Sequence, residues 1–398
     1  MNEAVPTRPE PGEPPAARRR VLGLGDSKIR QIANAGFGRE GVLRFWFGES
    51  DQPTPAYIRE AAAAALADGR TFYTHNLGTA ELRAALGTYL RRLHGPVLEG
   101  RAVLVTGSGV SALMVSMQAI VDPGDRVVVV TPVWPNIAEI PAILGAEVVR
   151  LGLDPTDAGW RLDLDKLLAA VTPDTRLVLL NSPGNPTGWT LPAEYRAPIL
   201  EHCRRLGVWL IADDVYERLA FDDGLLSAPS FLPLAEPGDR LIGVNSFSKA
   251  WVMTGWRLGW IVAPAGLEAD LGKLIEYNTS CAPDFVQAGA VAALDHGEQH
   301  IAALRADLRR KRDLLVARLN ALPGVAAPTP QGGIYVFFRI AGHGDSMRLA
   351  RRLIDEAGLG LAPGIAFGPE GEGWLRWCFA VEDAALGEGV HRLAGWLG

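Results

Sequence analysis

The chain has 398 residues, 48% of them hydrophobic and 21% charged, which is enough for a large core and more than one domain. A formal net charge of -6 argues against a nucleic-acid partner, which calls for a basic stripe. The three cysteines, Cys203, Cys281 and Cys378, lie far apart with no Cys-x-x-Cys, so a disulfide framework or a zinc site is not expected and a reducing cytoplasm is.

Residues 1–20 are rich in Pro and Glu, end in Arg18-Arg19-Arg20 and have no apolar run behind them. They read as a disordered tail, not as a secretory signal. Residues 21–50 form a mixed arm. Gly23-x-Gly25 follows arginines instead of a strand, so it is not a dinucleotide fingerprint. Ser27 is placed to cap a helix over residues 28–35. Gly48-Glu49-Ser50-Asp51 is a turn whose glycine lets a ligand approach the backbone. Thr54-Pro55 then opens a helix through Leu66. The loop Tyr73-Thr74-His75-Asn76-Leu77-Gly78 precedes another helix; read alone, its tyrosine is more often packing than ligand.

From residue 102 strand and helix alternate. Short apolar runs at 102–105, 127–130, 177–180, 209–213 and 241–244 are mostly bounded by Gly, Pro or Asp and separated by helical lengths. They predict buried, mostly parallel strands with crossover helices, an α/β fold. Such sheets gather their sites at the carboxyl ends of the strands. Residues 103–121 approach the length of a membrane span, but Thr106-Gly107-Ser108-Gly109, Ser111, Ser116 and Gln118 would be costly in lipid. A strand, a turn and a buried helix are expected there, and no membrane contact. Beyond about Pro283, helices at 286–295 and 300–321, then strands near 333–339 and 374–379, predict a smaller α+β domain. The expected division is a tail (1–20), an arm joining the smaller domain (21–50), a large domain (51–285) and a small one (286–398).

The residues that carry chemistry fall just past the strand ends. Thr106-Gly107-Ser108-Gly109-Val110-Ser111 opens a helix, whose free amides make an anion site that Gly109 lets a phosphate reach. It lacks the Gly-Lys-Ser/Thr of a nucleotide P-loop. Thr131-Pro132-Val133-Trp134-Pro135 offers an indole, either to stack on a flat heteroaromatic ring or to fill the core. Asn181-Ser182-Pro183-Gly184-Asn185-Pro186-Thr187-Gly188 is a loop made rigid by two X-Pro bonds. Ile211-Ala212-Asp213-Asp214-Val215-Tyr216 ends a buried strand in a carboxylate that needs a cationic partner. In Ser246-Phe247-Ser248-Lys249 a lysine just past a strand end sits among uncharged residues. Desolvation there lowers its pKa and makes it a nucleophile for a carbonyl. Ser246 and Ser248 can donate to an anion that Arg257 grips bidentately. A ligand with both an aldehyde and a phosphate, such as pyridoxal phosphate, fits this stretch. In Gly373-Trp374-Leu375-Arg376-Trp377-Cys378, Arg376 lies in an apolar strand and needs an anion. His296 and His300 are four apart, but Gly297 stands where a zincin has its glutamate. They read as a solvated helix face, and no metal is expected.

In this order, Asn185-Pro186-Thr187-Gly188, Asp213-x-x-Tyr216, the Ser246–Gly259 lysine stretch and Arg376 resemble the class I/II aminotransferases, pyridoxal-phosphate enzymes of fold type I. The resemblance runs from residue 21 to the C-terminus. It implies a large domain with a mostly parallel seven-stranded sheet flanked by helices. It further implies that Lys249 carries pyridoxal 5'-phosphate covalently and that Ser108, Gly109, Val110, Ser246, Ser248 and Arg257 hold the phosphate. Trp134 would cover the ring, Asn185 and Tyr216 would donate to its phenolic oxygen, and Asp213 would keep its nitrogen protonated. The offset to Tyr216 favours Asp213 over Asp214 for that role. Gly48, Asn185 and Arg376 would bind the substrate, with Arg376 as the bidentate clamp for the α-carboxylate. Tyr73 would reach the partner's phosphate in a homodimer. The chain departs from the family at Ser50, where proline is commoner, and at Asp214, where glutamate is usual.

The implied reaction passes an amino group from an L-amino acid to a 2-oxo acid by a ping-pong route, with Lys249 as acid and base. The same cofactor and fold also serve C–S β-lyases and decarboxylases. A non-catalytic regulator of this fold would need a DNA-binding domain, for which twenty residues are too few. Tyr277-Asn278-Thr279-Ser280-Cys281-Ala282-Pro283 offers no cation for a second carboxylate, which favours neutral or aromatic donors. Trp46 and Phe47 are placed either to line the side-chain pocket or to pack in the core.

Overall fold

Seven strands form the central sheet of the computed structural model, which describes residues 17–156, 158–222 and 224–398. In chain order they are β1 (Arg101–Thr106), β2 (Arg126–Thr131), β3 (Glu147–Gly152), β4 (Thr175–Asn181), β5 (Trp209–Asp213), β6 (Leu241–Ser246) and β7 (Gly259–Pro264). Across the sheet the order is β1-β7-β6-β5-β4-β2-β3. All neighbours are parallel except those of β7, which runs antiparallel to both β1 and β6. The five expected apolar runs coincide with strands or fall one or two residues inside them. β3 and β7 are additional. β3 is an edge strand with partly open faces and an arginine in the middle, so it lacks the continuous apolar run of a central strand. β7 returns after the lysine stretch without a crossover helix, which hides it from a strand–helix alternation.

The sheet is apolar on both faces because its strands are covered on both. Val128, Val130, Val178, Leu180, Leu210 and Ala212 point to one layer of packing, and Val127, Val129, Leu177, Leu179 and Ile211 to the other. That is the period-two alternation of a strand with each set meeting helices. Helix Gly109–Ile120 lies on the second face and starts at the end of β1, where the Ser108 hydroxyl accepts from the Ser111 amide at 2.9 Å. No helix among the described residues is long and apolar enough to cross a membrane.

A second, four-stranded sheet is built on the antiparallel pair Tyr335–Ile340 and Trp374–Cys378, with Phe337 opposite Arg376. Its core takes in Leu308 and Leu315 of helix Glu298–Asn320, Leu349 and Leu353 of helix Ser346–Ala357, and Leu386 and Leu393 of helix Asp383–Leu397. The arm belongs to this core: Ser27 caps helix Lys28–Gly36, whose Ile32 and Ala33 are buried there with Phe45 and Trp46. Leu43–Arg44 then pairs in parallel with Leu359–Gly360.

Three expectations need correcting. Helix Asp284–His296, assigned from sequence to the smaller domain, packs instead on helices Ala56–Ala67 and Ala80–His94. Its Val286, Ala290, Ala293 and Leu294 share the core of the large sheet. His296 and His300 do not share a helix face: Gly297 separates two helices, His296 is exposed, and the Nε2 of half-buried His300 has no partner. Of the expected disordered tail, residues 1–16 lie outside the described residues, while Arg19–Leu22 form a helical turn. The Ile211 side chain is fully enclosed, so Ile211→Ala should cost about 2–5 kcal/mol, read as a lower denaturant midpoint with an unchanged slope.

Candidate active site

The carboxyl ends of the strands open into a cavity of about 630 Å³ between the two sheets. Twelve of the residues expected at a site line it together: Gly48, Gly109, Val110, Trp134, Asn185, Asp213, Tyr216, Ser246, Ser248, Lys249, Arg257 and Arg376. Two do not. Ser108 is buried behind the wall with its hydroxyl engaged as a helix cap, and Tyr73 is 91% exposed on the surface. Tyr335, Asn181, Arg30 and Glu49 line the cavity without having been singled out from sequence. Phe47 faces the cavity, whereas Trp46 is in the core, its ring against Gly36 and Gly360.

Lys249 follows β6 and is half-buried, with Nζ donating to the Gly48 carbonyl. Burial pushes its amine down to about 8. Asp213 ends β5, where its Oδ1 accepts from the Val215 amide at 3.2 Å. Burial pushes this carboxyl up to about 7, against the pull of that amide and of Lys249. Asp214 turns the other way. Its Oδ2 accepts from Ser230 at 3.2 Å, and burial followed by the charge of Glu217 raises it to about 8. Glu217 in turn accepts from Tyr89 at 3.2 Å and Asn245 at 2.8 Å and meets His94 at 3.0 Å. Burial lowers His94, but Glu217 outweighs it and raises the imidazole above its ordinary range.

One end of the cavity is built for an anion. The first amides of a helix have no acceptor within it, and here the helix begins at Gly109 and Val110. A Cβ on Gly109 would come within 3.1 Å of the Ser246 Cβ, so the glycine keeps this approach open. Ser246 and Ser248 join their hydroxyls at 2.9 Å. Arg257 stands beside them in a left-handed conformation (φ 55°), its Nη1 donating to the Thr254 carbonyl at 2.8 Å.

At the other end lies Arg376, only 2% exposed. Its Nη1 donates to Asn185 Oδ1 at 2.9 Å and its Nη2 to the Trp46 carbonyl. Its Nε is buried without a partner. The guanidinium lies over the Tyr335 ring at 4.3 Å and the Phe367 ring at 4.9 Å. Asn185 is held in a loop with cis peptides at Ser182-Pro183 and Asn185-Pro186, and its amide donates to Asn181 Oδ1 at 2.9 Å. Because Asn185 Oδ1 is taken by Arg376, its Nδ2 is the group left to donate.

Residues 41–393 match the family model described as aminotransferase class I and II. The chain belongs to that family. It is 32% identical to an aspartate aminotransferase of Pyrococcus horikoshii over 94% of this chain and 95% of the other. It is 34% identical to an arginine–pyruvate transaminase of Pseudomonas aeruginosa, again over 94% and 95%. An aromatic aminotransferase structure from Pyrococcus horikoshii superposes with a TM-score of 0.84 at 32% identity, covering 92% of this chain and 98% of that one. The protein is thus a pyridoxal-phosphate-dependent aminotransferase with the fold of its family. The cavity fits that cofactor. It offers a desolvated amine, a phosphate-sized cluster of donors, and a buried carboxylate with a single amide donor that a ring N–H can complete.

The aminotransferase without cofactor should show the cost of burying Asp213. Its folded pKa of about 7 lies above the ordinary 3.8, so its stabilising contribution is complete below 3.8 and is lost as pH rises to about 7. Cofactor-free Asp213→Asn should match the parent's melting temperature near pH 4 and exceed it at pH 8. An equal difference at both pH values would refute the assignment.

Proposed function

We propose that this aminotransferase takes the amino group of an L-amino acid with a neutral or aromatic side chain and passes it to a 2-oxo acid, both using one cavity in turn. The observation that carries the reading is that half-buried Lys249 and buried Asp213 and Arg376, the last with an unpaired Nε, all face that cavity. An amine near 8 has a far larger neutral fraction at physiological pH than an ordinary lysine, which suits Lys249 to bond the cofactor aldehyde. Pyridoxal phosphate supplies an electron-accepting ring that acidifies the substrate's Cα–H. Asp213 would accept from the ring nitrogen's proton and favour the cationic ring. Asn185 and Tyr216 would donate to the phenolic oxygen, and Trp134 would lie against the ring. The amides of Gly109 and Val110, the hydroxyls of Ser246 and Ser248, and Arg257 would hold the phosphate, with Ser108 serving them as helix cap.

Arg376 binds the α-carboxylate through Nε and one Nη, alongside the Gly48 backbone and Asn185. Lys249 Nζ, once free, takes the proton from Cα and later gives it up, as acid and base. Ile29, Phe47, Val110 and Leu113 are apolar parts of the cavity wall, which also carries Arg30; the apolar share supports a neutral or aromatic donor. Relatives named for aspartate, arginine and aromatic substrates differ in the donor, so that choice rests on the walls.

The partner is a second copy. Phe72, Tyr73 and Tyr277 are each more than 80% exposed, and Thr74 and Asn76 tie this loop to Cys281 and Gly272. Covering those rings across a two-fold axis brings Tyr73 to the neighbouring phosphate. The reading also carries a cytoplasmic location, in keeping with three free cysteines, and a smaller domain that begins after His296 and includes the arm.

Borohydride reduction of the holoenzyme should fix the cofactor on Lys249, and no adduct there would end this reading. One half-reaction with an L-amino acid should leave pyridoxamine phosphate and a 2-oxo acid; steady release of pyruvate and ammonia would indicate a lyase. Lys249→Ala should lower turnover by on the order of 10³-fold or more. Cofactor rebinding to the apoenzyme should slow about tenfold per pH unit below 8, because only the neutral amine attacks. A midpoint near 10.5 would contradict the burial argument. A kcat/KM for aspartate far above that of every neutral amino acid would refute the donor assignment.

A further inference from the structure

Tyr335 opens the first long strand of the smaller sheet and is fully buried, yet it lines the cavity. It touches three of the groups given a role above. Its hydroxyl lies 2.8 Å from the Tyr216 hydroxyl. Its ring lies 4.3 Å beneath the Arg376 guanidinium. Its oxygen also crowds Gly48 so closely that a Cβ there would sit 1.7 Å away.

The direction of the bond between the tyrosines follows from counting protons. A phenol has one proton to give and lone pairs to accept with. Tyr216 gives its proton to the cofactor's phenolic oxygen, so the bond between the two hydroxyls runs from Tyr335 to Tyr216. A hydroxyl that accepts a hydrogen bond is polarised into a better donor. Burial raises both phenols, so both remain protonated over the working pH range. The ring has a separate use. A guanidinium lying on an aromatic face is attracted to it, most strongly where water is excluded, and Arg376 is buried.

We propose that Tyr335 is a positioning residue with two separable duties: its hydroxyl strengthens Tyr216 as a donor to the cofactor, and its ring sets Arg376 for the substrate carboxylate. The inference rests on the roles proposed for Tyr216 and Arg376, and its test is chosen to fail separately from them.

The holoenzyme is titrated by following the visible absorption band of the bound cofactor. Weaker donation to the phenolic oxygen raises the proton affinity of the conjugated cofactor. Tyr335→Phe keeps the ring and removes the hydroxyl, so the band's pH midpoint should rise by about 0.1 to 0.3 unit, the share that one neighbouring bond adds to a neutral hydrogen bond. Substrate KM should change less than about twofold, since the contact with Arg376 survives. In a Tyr216→Phe background the same change should move the midpoint no further, because its relay is gone. Tyr335→Leu removes the ring as well and should raise KM about 5- to 30-fold in addition.

A midpoint unmoved in Tyr335→Phe, or moved equally with and without Tyr216, would overturn the hydroxyl's duty. An unchanged KM in folded Tyr335→Leu would overturn the ring's. Should the leucine variant not fold, the phenylalanine midpoint alone decides. A parent protein that shows no visible band with added cofactor would instead overturn the reading of Lys249, and this inference with it.

Discussion

Ionisable groups turned into one cavity without a matching partner in the protein are what the rest of this structure depends on. Lys249 and Asp213 face the same cavity, and the Lys249 charge pulls on Asp213 without offsetting its burial. Each is pushed toward its neutral form by the loss of water. Arg376 keeps one buried nitrogen without an acceptor. A protein of this size is stable by only about 5–15 kcal/mol, so such groups are a substantial burden. The sheet carries it: its strands are apolar on both faces and covered on both, which holds the site rigid at their ends. A cofactor that supplies an aldehyde and a ring N–H, together with a substrate that supplies a carboxylate, satisfies all three groups, so binding is driven by needs the fold leaves open.

Local chemistry was legible in the sequence wherever a residue type sat oddly in its surroundings. Lys249 stood out as a cation in an uncharged run, Arg376 as a guanidinium in an apolar strand, and Asn185 as an amide in a proline-bound loop. Tyr335 carried no such mark. A tyrosine starting an apolar strand looks like core packing, and only the meeting of two sheets shows its hydroxyl on Tyr216. Ser108 shows what a motif leaves open: its oxygen accepts from the Ser111 amide, an outcome that depends on which residue becomes the cap. The same holds for the fold. Central strands announce themselves by valine-rich runs, while the edge strand β3 and the returning β7 depend on neighbours that no local window contains.

The arm shows how distant parts of the chain are held to one geometry. Trp46 fits against Gly36 and Gly360, where a Cβ would lie within 2.6 Å of its ring, and its carbonyl accepts from Arg376. Phe47, one residue on, faces the cavity and carries the Arg30 guanidinium at 4.9 Å on its ring. Gly48 accepts from Lys249 and admits the Tyr335 oxygen beside its Cα. Three successive residues thus join the core of the smaller sheet, the apolar wall and the lysine. A shift of either sheet relative to the other is felt at all three.

The adjacent aspartates follow the same logic at the scale of one peptide unit. Successive side chains at the end of a strand point to opposite sides. Asp213 therefore faces the cavity, and Asp214 faces back into a buried set with Ser230, Glu217, His94, Tyr89 and Asn245. That set ties the end of β5 to Asn245 in β6, next to Ser246 and four residues before Lys249. One carboxylate is left for a ligand while its neighbour anchors the backbone that carries both the aspartate and the lysine. A glutamate at Asp214 would push its carboxylate one methylene deeper into this set, where Ser230 and Glu217 already stand. The shorter side chain here is matched to the network behind the site and not to the cavity in front of it.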